Sequence, residues 1–372
     1  MMTRVLTTAR LTVAAAGLTA AVAGCWETAP ATAGATASLL WHYPSGVSCR
    51  VQPPAADSEQ VYVPFADGYV RALSRATGTL RWQTYVGGSL FDDIKVFAGR
   101  VLVLGGGVVD ALDPVHGTIL WAMTDSTDRP GGALSFDSLT GIVVAGAWHR
   151  SLWGVRVSDG SIAWKVDLGE RTTSTAIAGR AVYAGTINDS APPVDAFGHV
   201  FAVSLDSRQQ LWSFYTPPAA DGGGGFGAPL TVAGGVVVGI AVGHAYAVDA
   251  GSGQELWYLD LPVWLGGAVS DGRLAYIPTN NGKLYARDLQ TGGKVWTDSL
   301  NYASLYTQPV LMGDSLVVTM DGNTLYAIRR SDGDVLWTYQ VQYNNICSTP
   351  LVVGNDVVFA AEDGVYAVRP SH

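Results

Sequence analysis

Cysteine is nearly absent, at 3 in 372 residues, and lysine supplies only four of the 22 basic side chains. Three cysteines cannot build a disulfide-stapled scaffold. The six histidines (42, 116, 149, 199, 244 and 372) show no His-x-x-x-His or His-Cys pairing, so no metal site is expected. Charged residues make up 14% of the chain, against about 25% in an average soluble domain. The net charge is −9 with no basic block, which excludes a nucleic-acid groove, because displacing phosphate counterions takes clustered Lys and Arg. After the first 24 residues no apolar run approaches 18 residues, so no mature transmembrane helix is expected. What is abundant is hydrophobic content (48%), 45 Gly and 12 Trp, which excludes disorder. The excess of Arg over Lys, alongside much Ala, Gly and Val, reads as a GC-rich bacterial genome.

Residues 1–24 read as a signal peptide: Arg4 and Arg10, no acidic residue, then an apolar stretch from Leu11 to Val22 ending in small residues. Val22-Ala23-Gly24-Cys25 resembles the bacterial lipobox, which implies cleavage before Cys25, its acylation, palmitate included, and a membrane anchor. Cleavage near Ala23 to release an ordinary secreted protein is the other reading. Residues 27–37 (ETAPATAGATA) are small and aperiodic, the composition of a flexible spacer, so 25–37 are expected as lipidated Cys plus linker and 38–372 as the folded body.

That body is a repeat. Trp41, Trp82, Trp121, Trp164, Trp212, Trp257, Trp296 and Trp337 recur about every 40 to 48 residues. Aligned on Trp, the register is Tyr246-Ala247-Val248…Gly253…Trp257, Tyr285-Ala286…Gly292…Trp296 and Tyr326-Ala327-Ile328…Gly333…Trp337. Other units carry substitutions: Arg208 stands where Gly is expected, and Trp153-Gly154-Val155 replaces Tyr-Ala-Val. Short β-rich runs joined by Gly turns read as consecutive hairpins. A four-stranded sheet of about 40 residues cannot bury both faces alone, so the units must stack, and radial closure removes the exposed end sheets. The C-terminal Gly364-Val365-Tyr366-Ala367-Val368 lacks a following Trp strand, and Ser38-Leu39-Leu40-Trp41 lacks a preceding one. Together they complete one unit. The expected fold is all-β, an eight-bladed β-propeller of four-stranded antiparallel blades, the last closed by the N-terminal strand.

The spacing Ala-x5-Gly-x3-Trp, clearest at Ala247…Gly253…Trp257, Ala286…Gly292…Trp296 and Ala327…Gly333…Trp337, resembles the tryptophan-docking repeat of PQQ-like propellers. That superfamily includes quinoprotein dehydrogenases and the BamB-type outer-membrane assembly lipoproteins. Size and anchor are more similar to the second, which implies a non-catalytic scaffold for protein partners at an envelope membrane, on its extracytoplasmic side, with no cofactor. The alternative is a quinoprotein dehydrogenase, or a small-ligand binder, using the channel mouth; the resemblance would then imply PQQ with Ca²⁺. Missing for that alternative are the adjacent-Cys dipeptide and long inserted loops of such alcohol dehydrogenases.

Residues just before the inner strands are the candidates for a mouth site: Arg50, Asp92, Asp93, Arg171, Phe226, Trp264, Tyr306 and Asn345. Asp92-Asp93 before Lys95 reads either as a cation site or as a solvated acidic turn. Trp264 and Tyr306 read as a stacking floor or as inter-blade packing. Cys49 and Cys347 precede the inner strands of blades one and eight, neighbours across the closure, and are either bonded there or two free thiols. Residues 188–198 enlarge a hairpin of blade four and 216–227 lengthen the next crossover, and they read either as a partner surface or as neutral surface insertions.

Overall fold

The computed structural model describes residues 35–46, 53–87, 91–188, 197–216, 225–263, 266–299, 307–319, 322–342 and 345–370. They belong to the unit Ala33–His372, which forms eight antiparallel blades in a ring. No described helix is long and apolar enough to cross a membrane. The expected leader, Cys25, Cys49, Arg50, Trp264 and Tyr306 lie outside the described residues.

Blade one contains, from the axis outward, Ala55–Ala56, Gln60–Pro64, Tyr69–Ser74 and Leu80–Tyr85. Blades two to seven repeat the order inner, second, third, outer, as in Thr231–Ala233, Val236–Ala241, His244–Asp249 and Glu255–Asp260 of blade five. In blade eight the chain supplies Leu351–Val353, Asp356–Ala361 and Gly364–Arg369, and the N-terminal strand Ser38–Pro44 pairs outside them, Trp41 opposite Ala367. This is the closure expected from the chain ends. One strand was not expected: Ala35–Thr36, inside the presumed spacer, pairs in parallel with Val335–Gln340, the outer strand of blade seven. Ala37 then donates from its backbone N to Thr338 O (3.2 Å) and is buried.

Burial follows position in the blade. Val236–Ala241 is buried at all six residues because both sheet faces meet neighbouring blades, hence its unbroken apolar sequence. The outer strand Glu255–Asp260 buries only Trp257. The core is accordingly divided into eight apolar clusters, one in the wedge between each pair of neighbouring blades. Each aromatic side chain filling such a wedge contributes a few kcal/mol of burial.

The tryptophans are the inter-blade fasteners. The Trp41 indole N–H donates to Arg75 O of the next blade (2.8 Å), Trp82 to Pro114 O (2.8 Å), Trp121 to Val157 O (3.0 Å), Trp212 to Ala250 O (3.0 Å), Trp257 to Leu289 O (2.9 Å) and Trp296 to Arg330 O (2.9 Å). Each of these rings also lies on the repeat glycine of the following blade. At Gly78 (φ +70°) a Cβ would come within 2.5 Å of the Trp41 ring, so glycine is required twice over, by backbone sign and by contact.

Candidate functional site

By the antiparallel topology, the crossovers between blades and the second-to-third hairpins share one face, the mouth. Asp92 and Asp93 fall within Phe91–Phe97, the inner strand of blade two, and the pairing slips by one residue between Phe91 and Asp93. Asp93 is no solvated turn: it is 4% exposed, with Oδ1 accepting from Ile94 N (2.9 Å) and Lys95 Nζ (2.7 Å), and Oδ2 from Leu134 N of blade three (2.9 Å). Its carboxylate stitches two inner strands together. Asp92 is half-buried, and its Oδ2 has no partner. Burial pushes its pKa up to about 6; the Arg171 guanidinium opposes that rise and the Asp93 charge adds to it.

Arg171 opens the inner strand of blade four, and its guanidinium lies 5.0 Å from the Trp148 ring centre. Trp148, at the end of the second strand of blade three, is 40% exposed and rests over Gly131. Three blades thus bring Asp92, Trp148 and Arg171 together as a polar shelf. Phe226, by contrast, is fully buried in the wedge between blades four and five, its ring 6.2 Å from that of Tyr246, so it offers no face to the mouth. Asn345 is on the far side of the ring, donating from Nδ2 to Glu362 Oε1 (3.2 Å). Cys347 is disulfide-bonded, and its partner lies outside the described residues.

A calcium cradle does not fit these carboxylates. Asp93 is already committed at both oxygens, which leaves Asp92 alone, whereas Ca²⁺ takes six to eight oxygen ligands. Among the described residues no group of three His, Cys, Asp or Glu side chains is placed to hold a metal.

Blade four carries a second arrangement that the sequence did not reveal. Glu170, 8% exposed, accepts from His199 Nδ1 (2.9 Å) and Thr186 Oγ1 (2.5 Å). The His199 ring is flanked by Phe201 (5.1 Å) and Tyr215 (5.4 Å), and Tyr215 is 48% exposed. Glu170 and His199 are 29 positions apart in no recognisable motif, so only the strand pairing unites them.

The bases of the two lengthened loops meet at this point. Asn188 N donates to Phe197 O (2.8 Å), Gly198 pairs with Thr216, and Phe226 N donates to Thr186 O (3.0 Å). A Cβ on Gly198 would run into Gly225. The bases of both loops therefore lie side by side at the mouth edge of blade four, beside the Glu170–His199 pair and the exposed Tyr215.

A family profile described as outer membrane protein assembly factor BamB matches residues 27–203, 105–261, 196–305 and 280–370. No curated protein matches the chain. Among solved structures, the computationally designed Ika8 protein superposes with a TM-score of 0.75 at 18% identity, covering 90% of this chain and all of Ika8. BamB from Moraxella catarrhalis gives 0.68 at 14%, over 89% of this chain and all of that one. The quinohemoprotein alcohol dehydrogenase from Comamonas testosteroni gives 0.71 at 13%, over 90% of this chain and 76% of the enzyme. At these identities the likeness is one of fold, shared by a designed ring, an assembly factor and an oxidoreductase alike.

Proposed function

The chain belongs to the BamB family of outer membrane protein assembly factors, and from that premise we propose that it is a non-catalytic scaffold. It is tethered through acylated Cys25 on the extracytoplasmic side of an envelope membrane and holds protein partners there. The observation that carries this reading is the common root of the two long loops on blade four, beside an exposed aromatic side chain, on a ring whose other described hairpins are short. A rigid disc with added loops at one edge is suited to recognition.

A photo-crosslinking amino acid at position 215 tests this in the living cell. It should give discrete adducts with protein neighbours, whereas the same probe at Leu139, exposed at 78% in a hairpin of the opposite face, should give none of those adducts. Adducts no different from those of an unrelated lipid-anchored control would overturn the proposal. Loss of membrane association in Cys25→Ser would support the tether separately.

The quinoprotein alternative rests on the Asp92, Arg171 and Trp148 shelf at the mouth and on the fold it shares with alcohol dehydrogenases. Titration with PQQ and Ca²⁺, followed by intrinsic Trp fluorescence, separates the two. A flat titration is expected. Saturable quenching that needs Ca²⁺ and disappears in Trp264→Ala would make the protein an oxidoreductase.

A further inference from the structure

On the face opposite the mouth, the hairpins linking inner and second strands approach the third-to-outer turn of the same blade and its neighbour. Between blades six and seven this makes a cleft of about 440 Å³ lined by Asp271, Arg273, Asp314, Arg329, Arg330 and Ser331. Both of its carboxylates are paired with an arginine. Arg330 meets Asp271 (3.7 Å) and Asp314 (3.5 Å), and Arg329 meets Asp332 (3.0 Å) and Asp334 (2.9 Å).

The equivalent cleft between blades two and three, about 350 Å³, is lined by Ala98, Arg100, Thr140, Gly141, Arg156, Val157 and Ser158. By strand register its Ala98-Gly99 turn corresponds to Gly272-Arg273 of blade six and Val157 stands where blade seven has Arg330, and no carboxylate lines this cleft. Among the described residues neither Arg100 nor Arg156 has a carboxylate within ion-pair distance. Arg100 Nη1 donates only to Gly99 O (3.1 Å), and its Nε is buried without a partner. Arg156 Nη1 donates to Ser161 Oγ (3.0 Å), while Asp159 on the same turn acts on it only at longer range. The buried acid nearby, Asp137, is taken by Arg180 (2.8 Å) and Thr140 (2.7 Å). Ala98 is moreover held at φ +49°, a conformation that costs an alanine energy and that Asp or Asn adopts more readily.

We propose that this cleft is an anion-binding site that takes a phosphate group. Two guanidinium forks and the Ser158 hydroxyl offer several donors to a tetrahedral oxyanion. The site stands out because the rest of this acidic protein repels anions.

The test is a titration of the full chain with inorganic phosphate, read from the arginine Nε–H resonances, with chloride at equal ionic strength as control. Phosphate should saturate and chloride should not. Arg156→Ala, on an exposed side chain, should weaken binding about tenfold or more. Ala98→Asp should abolish it by placing a carboxylate in the cleft lining, and should leave the thermal midpoint unchanged or higher. Phosphate that fails to saturate, or binds Ala98→Asp and Arg156→Ala as tightly as the parent, overturns the proposal. Co-sedimentation with phosphatidylglycerol vesicles, compared with phosphatidylcholine alone, identifies the source. Sedimentation lost in Ala98→Asp assigns a lipid headgroup, and saturable phosphate binding without sedimentation assigns a free phosphate.

Discussion

At Trp164 the indole does not reach the backbone of the next blade. The position under it that elsewhere holds glycine is Arg208, at φ +64°, whose guanidinium lies 4.7 Å from the Trp164 ring centre. The displaced indole settles over Gly154 of its own blade, where the other units carry Ala, and its N–H is left without a partner. Two departures from the repeat, 54 residues apart, are thus one packing change. Both were visible in the sequence as isolated substitutions, but their coupling was not, because only the ring position joins them. Gly78→Ala should cost about 2–4 kcal/mol in urea unfolding, combining backbone strain with the clash against Trp41. Gly141→Ala, equally at positive φ but in open space, should cost only about 1 kcal/mol and so isolates the strain.

Asp110 occupies the place of the repeat Tyr in blade two and is 5% exposed, and burial raises its pKa to about 6. A carboxyl raised in the folded state stabilises the fold when protonated. That contribution is complete below about pH 4, the unfolded value, and is lost as the pH rises through about 6. Asp92 acts in the same direction over the same window. In Asp110→Asn the loss of stability between pH 4 and pH 7.5 should shrink by something on the order of 1–3 kcal/mol, measured by urea unfolding at both pH values.

Among the elements, the outer strands share a feature that no composition shows. In all eight blades the pairing of the third and outer strands slips just before the docking Trp, as between Ala247 and Val248 opposite Trp257 and Glu255. The skipped residue, Leu40, Leu120, Leu211, Leu256 or Val295 in five of them, is exposed. A bulge twists an edge strand away from pairing with another molecule, which an eight-edged ring needs. The Tyr-Ala and Trp strands were legible from their alternation, but a bulge is a property of two strands and appears only once they are paired. Ala35–Thr36 was hidden for a related reason: two small residues carry no periodicity, and their pairing depends on an edge 300 positions away. Trp41→Ala should cost about 3–5 kcal/mol and make the strand Ser38–Pro44 the first site of proteolysis, because that strand alone closes blade eight.

As a whole, the described residues form eight wedge cores and no central one, so stability depends on every interface and on the seam. Fold, blade number and closure followed from the repeat arithmetic because each blade restates the same packing problem. The mouth was less legible. Offset from an inner strand says which residues approach the axis, not which are consumed by it, and so Asp93 and Phe226 proved to be internal fasteners. At the seam, we expect the disulfide of Cys347 to join Cys49 and hence blade eight to blade one. Peptide mapping without reductant should recover that linked pair, and reduction should lower stability by a few kcal/mol.

Ala35–Thr36 also bears on how the ring should respond to load. A pull on the N-terminal end of the chain does not reach the closing strand directly. It first meets the two-residue parallel pairing on blade seven, whose few hydrogen bonds can peel while Trp41 and the Ser38–Pro44 pairing remain engaged. Pulled from that end, the chain should therefore release the short strand in a first small step at low force, read by single-molecule extension, before the seam that keeps the disc closed gives way.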